Sequence, residues 1–258
     1  MHYCLTMLAV GALLGFLSGL FGVGGSSIAT PVLLLLDVPR LVALATPLPV
    51  TLPTAVVGGW TYWRRGLVDG RAVLWTAAGG IPTVMLGSYM TMVVPGRLLM
   101  LLTGLFVAAV GARLLAKPLA AENKTEHSAP SVWLLLGVGT GVGLLSGLLA
   151  NGGGFLLVPA YLLLFDMGAQ EAAATSLVTV AFMALPGTWI HWHLEHIDLS
   201  LALLLALGGL PFTYLGARTG LALSGRRARL LFGFFLLAFG VFFCVRTLYR
   251  AELYGWLS

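Results

Sequence analysis

The sequence predicts an all-α polytopic membrane protein with about eight to ten transmembrane or broken helices, at roughly 20 apolar residues per crossing, in two inverted repeats. Three observations lead there: a composition too apolar for a water-facing surface, a regular succession of apolar segments, and an internal duplication. Of 258 residues, 59% are hydrophobic and 9% charged, against about 25% charged in soluble domains. That excludes an ordinary soluble enzyme, and so apolar a chain is not disordered either. The formal net charge of +5 lies in short loops between helices, so it points to no nucleic acid; the lipid bilayer is the expected partner. Two cysteines, Cys4 and Cys244, exclude a cysteine-rich metal framework.

The first apolar stretch, about 4–21, is expected to be a retained helix. Met1 to Val10 has no basic region, and the apolar run continues past Ala12 and Leu17 without a cleavage site. Stretches at about 26–36, 41–62, 72–93 and 98–116 follow; then come about 132–149, 154–165, 171–190, 199–222 and 230–247. At ~1.5 Å per residue, 26–36 and 154–165 are too short to cross a bilayer squarely, and the sequence leaves open whether they span or re-enter. Pro47, Pro49 and Pro53 make the helix of 41–62 irregular. The one long hydrophilic stretch, Lys117–Ser131 (KPLAAENKTEHSAPS), divides the chain into a first repeat at 1–116, a polar cytoplasmic linker at 117–131 and a second repeat at 132–258.

The duplication is read directly by offset. At 128 residues, Ser18-Gly19-Leu20 meets Ser146-Gly147-Leu148, Gly24-Gly25 meets Gly152-Gly153, and Pro31 meets Pro159. After one inserted residue the offset is 129: Thr46 meets Thr175, Trp60 meets Trp189, Asp69 meets Asp198, Gly79-Gly80 meets Gly208-Gly209, and Pro82 meets Pro211. Matching loops carry opposite charge bias. Residues 63–71 hold Arg64, Arg65 and Arg71, whereas 192–200 hold no Lys or Arg; the next loops reverse this, with Arg97 alone against Arg226, Arg227 and Arg229. Under the positive-inside rule that is the mark of an inverted repeat with an odd number of crossings per half. Five crossings per half with both termini outside leave Arg40, Arg97, Arg246 and Arg250 outside and the other ten of the 14 basic residues in the cytoplasm.

Two glycine-rich breaks are the strongest functional signal. Gly22-Val23-Gly24-Gly25-Ser26-Ser27 and Ala150-Asn151-Gly152-Gly153-Gly154 each follow an apolar helix and precede a short apolar segment. Glycine runs free the backbone to turn, and unwound backbone at membrane depth belongs where protein or a water-filled cavity surrounds it. A short helix starting at Ser26 or Gly154 would aim its N–H groups and positive dipole end there, which binds anions without a basic side chain. Close helix packing through small residues is the competing reading; two breaks at equivalent positions favour a transporter site. Thr46, Thr175 and Ser176, early in the helices after the breaks, are expected to line the same cavity or to satisfy their own helix carbonyls.

Trp60, Trp63, Trp189 and Trp192 sit at helix ends beside polar loops, as an aromatic belt does; Trp60 and Trp189 are also gate candidates. His191, His193 and His196, with Glu195 and Asp198, suggest a metal, yet the first half has Tyr62, Arg64 and Leu67 at the histidine positions. On one continuous helix, 193 and 196 share a face and 191 points elsewhere. A titrating interfacial loop is the simpler reading, with His191 as a proton-coupling candidate. No Asp, Glu or Lys sits mid-span, which argues against a cation pump. No nucleotide-binding or metalloprotease motif is present, so no cofactor and no metal are expected.

The segments GFLSGLFGVGGSSIATPVLLL (15–35) and GLLSGLLANGGGFLLVPAYLL (143–163) resemble the duplicated motif of the TauE/SafE family of sulfite and sulfonate exporters, also called the 4-toluene sulfonate uptake permease family. The resemblance covers essentially the whole chain. It implies transport of small sulfur-containing anions across the inner membrane, with the family's glycine motifs falling on Gly22, Gly24 and Gly25 and on Gly152, Gly153 and Gly154. The two breaks differ, Ser26 against Gly154 and Gly22-Val23 against Ala150-Asn151, which implies an asymmetric site. The expectation is therefore a multi-pass inner-membrane secondary transporter, not an enzyme, that moves sulfite or organosulfonates by alternating access, with export favoured over uptake. Its site would be built from Gly24, Gly25, Ser26, Ser27, Thr46, Asn151, Gly152, Gly153, Gly154, Thr175 and Ser176. A homo-oligomer is compatible with this reading. The rival is a membrane-embedded metal-dependent enzyme or metal transporter using His191, His193 and His196.

Overall fold

A computed structural model describes residues 2–36, 38–90, 96–116, 130–149 and 152–253, and these form helices joined by short turns. In the first half the helices are α1 (His2–Phe21), α2 (Ser26–Leu35), α3 (Arg40–Ala45), α4 (Pro47–Trp63), α5 (Gly70–Met90) and α6 (Gly96–Ala116). In the second they are α7 (Val132–Leu149), α8 (Gly154–Leu164), α9 (Ala169–His193), α10 (Leu199–Ala222) and α11 (Gly225–Leu253). Six of the described stretches are long and apolar enough to cross a membrane by length and composition: Tyr3–Phe21, Leu41–Trp63, Val132–Leu149, Ala169–His193, Leu199–Ala222 and Gly225–Val245. The apolar side chains also face outward. Val56, Leu74, Leu203, Leu207 and Phe234 are each about 60% exposed, a surface suited to lipid rather than water.

Local sequence explains most boundaries. The apolar stretch at 41–62 is two helices rather than one, because Pro47 sits at the start of α4 with Thr46 as its cap. A proline has no N–H to continue the ladder from α3. α5 and α10 start at equivalent aspartates: Asp69 Oδ1 accepts from the N–H of Arg71 and Ala72 at 2.9 and 3.0 Å, and Asp198 Oδ1 from that of Leu201 at 3.0 Å. Such N-cap carboxylates satisfy helix-start donors. α2 and α8 are 10 and 11 residues long, or roughly 15 Å each, half a bilayer.

The halves interdigitate. α1 packs against α10 and α7 against α5, each the opening helix of one half on the next-to-last described helix of the other. Both contacts are backbone to backbone. A Cβ on Gly11, Gly15 or Gly19 of α1 would overlap the backbone of Leu205, Gly209 or Thr213. A Cβ on Gly139, Gly143 or Gly147 of α7 would overlap that of Thr76, Gly80 or Val84. These are the same positions shifted by 128 and 129, and both pairs run parallel. Glycine at every fourth residue lets the backbones approach, which drives helix association in lipid. The helices that correspond to each other run antiparallel: in α4 and α9 Gly58 lies against Leu177 and Gly187 against Leu48, and in α6 and α11 Gly104 lies against Cys244 and Gly111 against Gly233. α1, α4 and α10 thus make one bundle and α7, α9 and α5 another, joined along the α4/α9 seam.

Candidate functional site at the paired glycine breaks

Both breaks use left-handed backbone. Gly22 and Gly24 have φ of +75° and +72°, and Gly152 and Gly153 have +66° and +78°, a region that costs other residues roughly 1–2 kcal/mol. The two breaks meet. A Cβ on Gly154 would overlap the carbonyl of Val23, and one on Gly152 would stand 3.2 Å from Ser26 Oγ. Thr51 of α4 and Val180 of α9, equivalent at offset 129, flank both. From a Cβ on Gly24, Val180 Cγ1 and Thr51 Cγ2 are 3.1 and 3.3 Å away; from one on Gly152 they are 3.4 and 3.6 Å away. Val180 is the twelfth of the 25 residues of α9, so the meeting point lies at mid-depth.

The starts of α2 and α8 converge there, and neither has a side-chain cap from its own N-cap glycine. Each helix start leaves N–H groups outside the ladder and carries a positive dipole end. The two starts are not equivalent. The Thr51 hydroxyl accepts from the Ser26 N–H at 3.2 Å and donates to the Pro47 carbonyl at 3.0 Å, whereas Val180 offers no hydroxyl to α8. Ser176 Oγ of α9 instead donates to the Gly154 carbonyl at 3.4 Å, fixing the first residue of α8. Beside Gly25, where an added Cβ would meet nothing within 4 Å, is a small cavity of about 10 Å³ lined by Gly11, Gly15, Ala29, Thr54 and Gly209. That is the room one water needs. In this conformation the breaks are closed on each other.

Of the residues expected at the site, Gly24, Gly25, Ser26, Gly152, Gly153 and Gly154 come together, with Ser176 beside them. Asn151 lies outside the described residues, as does the side chain of Ser27. Thr46 and Thr175 do not join them. Thr46 Oγ1 accepts from the Asp198 N–H at 3.1 Å, and Thr175 Oγ1 from the Asp69 N–H at 3.1 Å. By the antiparallel register they lie toward opposite ends of the α4/α9 pair, about 20 Å apart. Each hydroxyl ties a loop of one half to a helix of the other. Thr51 is the residue that sequence reasoning missed. Its partner is a valine, so no coincidence in the repeat exposed it. Ser18 is a second: it is fully buried one turn before Gly22, and its Oγ has no hydrogen-bond partner among the described residues.

The aromatic and histidine groups fall elsewhere. Trp60 and Trp189 are 51% and 65% exposed, as a belt requires. His191 is buried, with Nδ1 3.3 Å from His196 Nδ1; the residues do not lie on one continuous helix, because α9 ends at His193 and Glu195 takes φ of +56°. That turn folds His196 back onto His191, while His193 stacks edge-on to Trp189 at 4.6 Å. Among the described residues no three His, Cys, Asp or Glu side chains are grouped as metal ligands.

Comparison with known proteins agrees with this architecture. The family model described as sulfite exporter TauE/SafE matches residues 7–243, which include both breaks. A probable membrane transporter protein of Xylella fastidiosa (strain 9a5c) is 29% identical over 244 residues, covering 92% of this chain and 93% of that one. The probable membrane transporter proteins YunE and YjnA of Bacillus subtilis are 26% and 23% identical; their alignments cover 84% and 92% of this chain and 87% and 98% of theirs. No solved structure matches the chain. With both glycine breaks and nearly its whole length inside the family model, this multi-pass membrane protein belongs to the TauE/SafE sulfite exporter family.

Proposed function

We propose that the protein is a secondary transporter that carries sulfite or small organosulfonates across the inner membrane by alternating access, with export favoured. One observation carries the reading: the starts of two half-length helices meet at mid-depth, at backbone breaks in equivalent positions of the duplication. Two positive helix ends aimed at one point replace part of an oxyanion's hydration without a buried cation. Transport in a membrane protein of this family supports the class. The sulfur-anion substrate is our extension of the family description to this chain. Ser26, Gly152, Gly153 and Gly154 would surround the anion, with the Thr51 hydroxyl already holding the Ser26 N–H at the α2 end.

The antiparallel pairing of α4 with α9 and of α6 with α11 supports inverted repeats related by a two-fold axis in the membrane plane. Such an axis makes the two open states near mirror uses of one mechanism. The α1/α4/α10 bundle would rock against the α7/α9/α5 bundle about the α4/α9 seam, parting the breaks toward one side and then the other. His191, enclosed beside His196, is the residue we assign to proton coupling. The test is flux in proteoliposomes with sulfite, sulfate, sulfoacetate and toluenesulfonate, with and without a proton gradient, beside a Gly24→Leu plus Gly153→Leu variant. Saturable sulfite or sulfonate flux lost in a folded variant supports the site. Flux indifferent to the gradient removes the coupling role, and flux of none of these anions removes the substrate.

A further inference from the structure

A second binding surface lies on the outside of the α4/α10 contact, away from the breaks. There Val56, Val57, Trp60, Arg64, Tyr214 and Arg218 line an open groove of about 750 Å³, with Arg65 at its rim, a volume that suits a ligand of several hundred daltons. Its two ends differ in chemistry. One is apolar, and Val56 is 61% exposed. The other holds three exposed arginines, and no carboxylate lines any part of it. Two of those arginines are braced on aromatic rings from opposite walls: Arg64 Cζ lies 5.5 Å from the Trp60 ring of α4, and Arg218 Cζ 5.7 Å from the Tyr214 ring of α10. Stacking of this kind holds a guanidinium in place while leaving its donors free.

The fold does not require this charge. At offset 129 the matching positions to Arg64, Arg65 and Arg218 are His193, Leu194 and Tyr89, and Tyr214 matches Met85. The corresponding positions of the other half therefore keep the tryptophan, Trp189, and lose every arginine. The basic groove opens beside the loop that the charge bias assigns to the cytoplasm, where the bilayer leaflet is itself anionic.

We infer that this groove is a binding site for an anionic phospholipid of the cytoplasmic leaflet, with the headgroup phosphate between Arg64, Arg65 and Arg218 and an acyl chain along Val56 and Val57. The site is independent of which anion is transported. Polarity matched end to end, a cation cluster above an apolar trough, selects an amphiphile rather than a free ion. A lipid lying there touches both α4 and α10 and so stabilises the bundle to which they belong.

Native mass spectrometry of the purified full chain, titrated with phosphatidylglycerol or phosphatidylcholine, tests this. Phosphatidylglycerol is expected to bind about tenfold more tightly, from the attraction of three arginines near the surface. Arg64→Gln plus Arg65→Gln plus Arg218→Gln is expected to abolish that preference, whereas Arg226→Gln plus Arg227→Gln, on the same side but outside the groove, keeps it. If the triple variant does not fold, Arg218→Gln alone is expected to lower the preference several-fold. Equal binding of the two lipids by the unmodified protein, or equal loss in the control variant, overturns the proposal. Displacement of phosphatidylglycerol by toluenesulfonate overturns it as well, since the groove would then hold a soluble anion.

Discussion

Replacing Gly154 by alanine tests the central claim that the two breaks touch. The new methyl would overlap the Val23 carbonyl and stand 2.9 Å from Val23 Cα. Those atoms belong to backbone in the opposite break, so no rotamer change relieves the overlap. Overpacking of this kind costs about 1–3 kcal/mol, and a rigid partner places Gly154→Ala near the upper end. Gly25→Ala is the control from the same region. Its backbone is right-handed at φ of −66° and its methyl would meet nothing within 4 Å, so it is expected to be neutral or to gain about 0.4–1 kcal/mol by restricting the unfolded chain. The two variants should therefore differ by about 3 kcal/mol, or roughly a hundredfold in the folded to unfolded ratio. Equilibrium unfolding in mixed micelles reads the difference, and under the proposed alternating-access cycle Gly154→Ala should also slow transport, because that cycle parts and recloses the contact it disturbs. Stabilities equal within about 0.5 kcal/mol would refute the contact, since no overpacked pair of backbones is that forgiving.

Thr51→Val removes the acceptor of the Ser26 N–H and is expected to cost about 1–3 kcal/mol, measured in the same unfolding assay. Val180→Thr, its counterpart, supplies a hydroxyl that competes for the α8 helix start; under the proposed anion site, KM for sulfite or sulfonate should rise several-fold in a protein of unchanged stability. Thr46→Val and Thr175→Val should each lose about 1 kcal/mol with KM unchanged, because each releases a loop rather than a ligand; a raised KM would return those hydroxyls to the site. His193→Ala plus His196→Ala should leave anion flux and the metal content of the purified protein as they were, and loss of a stoichiometric metal with loss of flux would revive the metal reading.

Much of this architecture was legible because glycine and proline report on backbone directly. The breaks, the half-length of 26–36 and 154–165 and the register of the duplication all follow from residues whose conformational range is extreme. The coincidences of Thr46 with Thr175 and of Asp69 with Asp198 were equally visible, but their meaning was not. Each threonine serves the aspartate of the opposite half, and no offset within the sequence reveals which remote segments will lie together. For the same reason Thr51 escaped notice, and the contact of His191 with His196 was not legible because the turn at the left-handed residue Glu195 makes it. Local chemistry predicts elements; the partners of a side chain are decided by how the elements pack.

The exchange of helices between the halves also sets an order of assembly. α7 finds α5 already made, so that glycine seam can close once the chain has been synthesised through Leu149. α1 must wait for α10, which is complete only at Ala222, and until then its glycine face has no partner while synthesis proceeds at about 5–20 residues per second. The molecule thus closes from its middle outward. The first helix to leave the ribosome is among the last to be paired, and for many seconds the nascent chain holds an open seam that any other small-residue helix in the membrane is able to occupy.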